Sequence, residues 1–223
     1  MADKKEKSII LKNRTNMRDL YKAMSAYERL EWGNGNLHVA GIDESGRGPL
    51  AGPVVAAACI LNPKDPIFGV NDCKKLTEKR REELYTEIMG RAICYSIICV
   101  EPDVIDKVNI LNATKIAMAE CVRTLRVTPD KLLIDAIDLK GTGIPVIPII
   151  KGDCLSVSIA AASIIAKVTR DRIMVKFDEE YPGYGFIHNK GYGTDLHYDG
   201  IRKIGISPIH RRSFLKALLN DFT

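Results

Sequence analysis

The chain has 223 residues, 46% of them hydrophobic, which suffices for one well-buried core and is too little for several domains. Its 33 basic residues outnumber 28 acidic ones, and the net charge of +5 suits a polyanionic partner. Six cysteines without a CxxC pair and four scattered histidines exclude a zinc-type cluster and fit a reducing compartment; with no apolar run shaped as a signal peptide or membrane span, a cytoplasmic location is expected.

Residues 1 to about 13 read as a polar, lysine-rich arm. From Asn16 to about Trp32, apolar residues recur at Met17, Leu20, Met24, Tyr27, Leu30 and Trp32, a spacing that predicts an amphipathic helix laid on the domain. Gly33-Asn34-Gly35 stops it. Residues 1–36 therefore form an appendage to a main domain over 37–223, whose part from about residue 181 is expected to be helical.

Leu37 to Leu61 reads as strand, turn, strand. The first apolar run ends in Asp43 and Glu44 and passes through Gly46-Arg47-Gly48 before turning apolar again. Adjacent residues of a strand point to opposite faces, so both acids reach one site only where the strand ends or bulges, and the following glycine permits that bend. A solvated acidic turn would carry the same letters. Asn62 to Pro66 breaks the chain, Lys74 and Lys75 lie in a loop, and Thr77 is placed to cap a helix running to about Met89. A lysine just before a helix can meet a phosphate or remain a solvated charge.

Ala92 to Val100 is a third strand. Asn109 to Arg126 is a long helix with Ile110, Leu111, Ala113, Thr114, Ala117, Met118, Cys121 and Leu125 on its buried side. Lys131 to Asp135 is a short apolar run ending in an acid, as Val39 to Asp43 is, and a fifth run, Pro145 to Ile150, delivers Lys151-Gly152-Asp153. Asp153 stands before a helix from Ser156 that is small and apolar nearly all round; capping that helix would by itself explain the acid. Beyond Tyr181, the loop Phe186 to Thr194 interleaves glycine, aromatics and bases, a composition suited to stacking and phosphate binding or to a well-ordered surface loop. Short helices around Asp195 to Ile204 and Arg211 to Asn220 close the chain.

This order predicts an α/β domain with a mixed five-stranded sheet flanked by helices, its opening hairpin antiparallel and its later crossovers parallel. If the strands ending at Asp43 and Asp135 are neighbours, their acids meet at one sheet edge, with Asp153 approaching from the helix start. Clustered carboxylates repel unless hard cations lie between them, which points to Mg²⁺ or Mn²⁺ and to two-metal phosphodiester cleavage. His38, His188, His197 and His210 show no nucleophile arrangement; His188 as a proton shuttle competes with a structural role.

Five segments carry a specific signature: Gly41-Ile-Asp-Glu-Ser-Gly-Arg-Gly-Pro-Leu-Ala-Gly-Pro53, Asp72-Cys-Lys-Lys-Leu76, Leu133-Ile-Asp135, Lys151-Gly-Asp153 with the run to Asp171, and Tyr181 through Lys190-Gly-Tyr-Gly-Thr194 to Phe214. Together they closely resemble ribonuclease HII over about Leu37 to Phe214. The resemblance implies a ribonuclease H-like fold and a metal-dependent endonuclease that cuts RNA paired with DNA and incises 5′ of single ribonucleotides in duplex DNA. Its products would carry 3′-hydroxyl and 5′-phosphate ends, and its role would be ribonucleotide excision repair. Carried over by motif, Asp43, Glu44, Asp135 and Asp153 would be the metal-binding catalytic acids. Gly46, Arg47 and Gly48 would read the ribose 2′-hydroxyl largely through the backbone, Lys74 would hold phosphate, and Tyr192 would stack on the adjoining deoxyribose.

Two departures stand out. Cys73 replaces the serine usual in the family, and the segment before Leu37 has no counterpart in its shortest members. The C-terminus shows no glutamine-led sliding-clamp box, so tethering of that type is not expected, and a monomer is. Two other readings stay open: a nuclease of the same fold acting on DNA junctions, and an idle nucleic-acid-binding protein. Discriminating them needs cleavage data.

Overall fold

A computed structural model of the chain describes residues 15–216. The lysine-rich arm lies outside the described residues, as does the part of the expected Arg211–Asn220 helix beyond residue 216; its described start is a 3-10 turn over Arg212–Phe214. Helix α1, described over residues 15–24, leads into α2 (Ala26–Gly33). Strands β1 (Val39–Ser45) and β2 (Val54–Ile60) follow, then α3 (Glu78–Arg91), β3 (Cys94–Val100), α4 (Pro102–Val108), α5 (Ile110–Thr124), β4 (Lys131–Asp135) and β5 (Val146–Ile149). The chain continues through α6 (Gly152–Leu155), α7 (Val157–Glu180), α8 (Phe186–Asn189) and α9 (Asp195–Ile204). Among the described residues, no helix is long and apolar enough to cross a membrane.

The strands form one mixed sheet in the order β3-β2-β1-β4-β5, antiparallel on the β3 side and parallel on the β5 side. Strand β2 is buried along its whole length and its side chains alternate between two cores. Val55, Ala57 and Cys59 pack under α7 and α3, whereas Val54, Ala56, Ala58 and Ile60 pack under α5. Helix α7 lies so close to β1 that a Cβ on Gly41 would fall 2.0 Å from the Ser158 carbonyl carbon. Its small residues permit that approach: Ser158, Ala160, Ala161 and Ala162 are all fully buried. A third core, built on Leu50, Ala51, Met174, Tyr184, Phe186 and Ile201, ties the helical C-terminal part to the sheet.

Local chemistry sets the helix starts. Thr77 accepts from the Arg80 amide, Asn109 from Asn112 and Ser156 from Ile159. Capping does not account for Asp153: the cap of α7 is Ser156, and Asp153 sits in its own short helix, α6. On α5 the buried stripe is Ala113, Thr114, Ala117, Met118 and Cys121, while Leu111 is 43% exposed because its first-turn position faces the groove beside residues 136–140.

The N-terminal helix departs more. Instead of one helix from Asn16 to Trp32, the chain breaks at Ser25, and the Arg29 guanidinium takes the Lys22 carbonyl (2.8 Å). Its second half packs the partly buried Tyr27 and Trp32 against Val39, Leu133, Ile149 and Ile159, but Leu30 is 62% exposed, and Glu28 and Glu31 face inward. Glu28 accepts the Ser156 hydroxyl and the Ser158 amide (2.9 Å), so the appendage caps the start of α7. Glu31 accepts from Asn36 and pairs with Lys131 of β4 (3.7 Å).

Candidate active site

Strands β1 and β4 are parallel neighbours whose last pair is Ile42 with Ile134; one residue further on stand Asp43 and Asp135. Parallel register thus delivers two acids to one sheet edge. Asp43 is buried and accepts the Glu44 amide (2.8 Å), and Glu44 faces the Arg47 guanidinium (3.4 Å). Asp135 accepts the Gly152 amide (2.7 Å), which fixes the turn carrying Asp153 beside it. Two non-glycine residues in left-handed conformation flank these acids, Ala136 (φ 50°) and Lys151 (φ 58°). Such strain persists only where its surroundings enforce it, and it aims the two turns at the sheet edge.

The four acids line one cleft of about 340 Å³, together with Gly46, Arg47, Gly48, Lys74 and Tyr192. Five separate stretches of sequence therefore converge on one place. Lys74 Nζ lies 3.9 Å from Asp153, and the half-exposed Tyr192 ring stands over Gly48, where an added Cβ would meet its Cε1 at 3.5 Å. Wider grooves of about 560 and 540 Å³ run beside α5, but each holds a single acid. The largest groove, about 700 Å³ beside Asp106, likewise holds one acid, so the acids gather in the smaller cleft.

Crowding shows in the proton affinities. The Asp43 carboxyl is held well above the usual range by burial and by the Glu44 charge, with hydrogen bonds from Ser163 and the Glu44 amide opposing. Burial also raises Glu44, against the pull of Arg47, and raises Asp135, against the Gly152 amide and with Asp153 adding. Burial pulls the Lys74 ammonium down, but Asp153 and Asp72 outweigh it and leave it raised. Glu44 Oε2 is buried without a partner among the described residues, an orphan that costs free energy until a proton or cation meets it. This hard, oxygen-only set fits Mg²⁺ or Mn²⁺.

Several members of the site are absent from the sequence reading. Ser163 and Lys167 of α7 line the cleft, and the Ser163 hydroxyl donates to Cys73 Sγ (3.4 Å). Cys73 thus faces a serine rather than solvent, and burial pushes its thiol up. Asp72, Asp153 and Cys154 bring ligand atoms within 4.8 Å of one another, a closer grouping than any three of the four predicted acids make. Asp72 opens the signature segment Asp72-Cys-Lys-Lys-Leu76, in which the resemblance assigns a role to Lys74 alone. His188 is exposed and His38 pairs with Asp130 (3.7 Å), so neither lines the cleft.

The chain is similar to known proteins over most of its length. The model of the family described as Ribonuclease HII matches residues 40–217. The Ribonuclease HII of Desulfitobacterium hafniense (strain Y51) is 56% identical over 193 residues, covering 86% of this chain and 74% of that relative. Among solved structures, ribonuclease H2 from Pyrococcus horikoshii OT3 superposes with a TM-score of 0.66 at 31% identity, over 78% of this chain and 92% of that one. RNase HII in the PCNA:RNase HII complex from Archaeoglobus fulgidus gives 0.67 at 30% identity, over 80% and 94%.

Proposed function

The chain belongs to the ribonuclease HII family and is a ribonuclease H, a hydrolase of a divalent-metal-dependent class, and from that premise we propose which bond it cuts. The substrate is the RNA strand of an RNA/DNA hybrid and also a single ribonucleotide embedded in duplex DNA. Incision falls 5′ of it and leaves 3′-hydroxyl and 5′-phosphate ends, the opening step of ribonucleotide excision repair in the cytoplasm. Residues 37–223 form the catalytic domain and 1–36 an appended segment. A monomer suffices, because every candidate residue comes from one chain.

Asp43, Glu44, Asp135 and Asp153 would hold the metal. A pair of Mg²⁺ or Mn²⁺ ions bound there supplies activation of water and stabilisation of the leaving oxygen. The chain's own residues do the rest. Lys74 and Arg47 place positive charge at the rim, where a phosphodiester must enter past four acids. Gly46-Arg47-Gly48 brings bare backbone up to the ribose, and the Tyr192 ring gives a flat face for the neighbouring deoxyribose. The observation that supports the reading best is the meeting of these nine residues around one cleft, with a buried carboxylate oxygen left unmatched.

The test is end-labelled mapping on a DNA duplex carrying one ribonucleotide. A metal-dependent cut on its 5′ side is expected, and Asp43→Asn should abolish it while the fold persists. Equal cleavage of the all-DNA duplex would instead favour a general DNA nuclease, and no product with any divalent ion would favour a binding protein.

A further inference from the structure

Two guanidinium groups, Arg170 and Arg211, are completely buried. Among the described residues, every hydrogen bond found for them ends on a main-chain carbonyl oxygen. Burying a cation with no carboxylate hydrogen-bonded to it is among the costlier choices a fold makes, and an apolar side chain of similar size would serve packing better. The cost is visible in both groups: burial pulls Arg170 down to about 10 and Arg211 to about 9. Their positions show what the cost secures.

Arg211 donates to the carbonyls of Gly46 (2.6 Å) and Arg47 (3.0 Å), and twice to that of Gly52 (3.0 and 2.8 Å). Arg170 donates to Pro53 (3.0 Å), Ala51 (3.0 Å) and, across the gap to the Tyr192 loop, Lys190 (2.9 Å). In a trans peptide the carbonyl and the next N–H point in opposite directions, and no cis bond occurs among the described residues. Drawing the Gly46 and Arg47 carbonyls inward therefore turns the Arg47 and Gly48 amides outward. Neither amide meets an acceptor among the described residues, and both residues line the cleft.

We propose that Arg211, backed by Arg170, is a positioning residue for ribose recognition: it locks two main-chain donors toward the cleft before substrate arrives. The inference rests on the reading above that the Gly46–Gly48 turn senses the ribose. A planar fork bonded to three carbonyls is what the task needs, and a lysine ammonium cannot hold the same geometry. Arg170 adds the second constraint, fixing the span between the amide pair and the Tyr192 ring.

The test uses an Asp43→Asn background, so that duplex is bound and not cut. There the Kd of a duplex with one ribonucleotide is compared with that of the all-DNA duplex of the same sequence. Arg211→Lys is expected to shrink the ratio of the two constants by about fivefold, what one misplaced hydrogen bond is worth. Affinity for the all-DNA duplex should stay within about twofold of the parent. An unchanged ratio overturns the proposal, and so does a loss shared equally by both duplexes. If Arg211→Lys gives no cooperative melting, the Asp43→Asn parent carries the test through amide exchange at Arg47 and Gly48. Exchange should be fast in the free protein and slowed by the ribonucleotide duplex alone; protection already present without duplex, or given equally by both, overturns the clamp. If the Asp43→Asn parent shows no preference at all, the ribose-sensing reading itself fails and takes the clamp with it.

Discussion

Gly46 adopts φ +98°, and a Cβ there would lie 2.1 Å from Arg170 Nε and 2.8 Å from the Pro53 carbonyl. Its glycine is therefore demanded from inside the protein, by backbone conformation and by the buried guanidinium. Gly48 is different: an added methyl would meet only the Tyr192 ring at 3.5 Å, on the cleft side. Gly46→Ala should accordingly cost about 2 kcal/mol or more in urea unfolding. Gly48→Ala should leave stability nearly unchanged and weaken preference for the ribonucleotide duplex. A second residue-scale device is a buried histidine relay. The Ser207 amide donates to His210 Nδ1 (2.9 Å), the two Nε2 atoms meet at 3.0 Å, and His197 Nδ1 meets the Tyr192 carbonyl (2.9 Å). One neutral tautomer pair satisfies all three contacts, with His210 donating to His197 and His197 to Tyr192. Burial lowers both rings, and the His197 neighbour helps bring His210 down to about 4. A base with a depressed folded pKa contributes stability that is full above its unfolded value, near 6.5, and lost as pH falls toward the folded one. Melting temperature measured from pH 6.5 down to 4 should therefore fall less steeply in His210→Gln than in the natural chain.

Helix α7 carries the element-scale argument, because its first turn is held by a residue outside the segment that the family model matches. Glu28 of α2 is fully buried, accepts from Ser156 and Ser158, and leaves Oε2 without a partner among the described residues. The carboxylate meets a helix N-terminus, where the dipole and free amides favour it. Asp153 lies three residues before the Ser156 cap. Glu28→Ala is expected to cost about 2 kcal/mol, the price of leaving the Ser158 amide and Ser156 hydroxyl unmatched, and to lower kcat more than it raises KM by loosening the turn that holds Asp153. Burial raises the Glu28 carboxyl. The protonated form is thus favoured in the fold, and its contribution is full below the unfolded value and lost as pH rises through the folded one. Glu28→Gln should flatten that part of the stability profile in chemical unfolding at stepped pH.

At the scale of the whole molecule, a chain of net charge +5 surrounds a cleft lined by four acids. Affinity for duplex should then come chiefly from phosphate contacts at the rim, and fall steeply and linearly in log Kd against log salt. Lys74→Met should reduce that slope by about one without changing the preferred cut site. A slope left unchanged would remove Lys74 from the phosphate track.

Much of this was legible in the sequence because it is local. A strand that ends in Asp-Glu before glycine, Leu-Ile-Asp after a buried helix, and Lys-Gly-Asp before a run of small residues each declare themselves over a few positions, and element order then implies the mixed sheet. Local pattern also marked Thr77 as a helix cap. What it missed has one physical character. Glu28, Arg170 and Arg211 are charged groups that local spacing reads as solvated, yet all are buried against partners far away in the chain. Whether a charge faces water or a carbonyl more than a hundred residues off is decided by packing alone. The sequence by itself therefore determined which atoms could do chemistry here, and only the tertiary structure decided what holds them still.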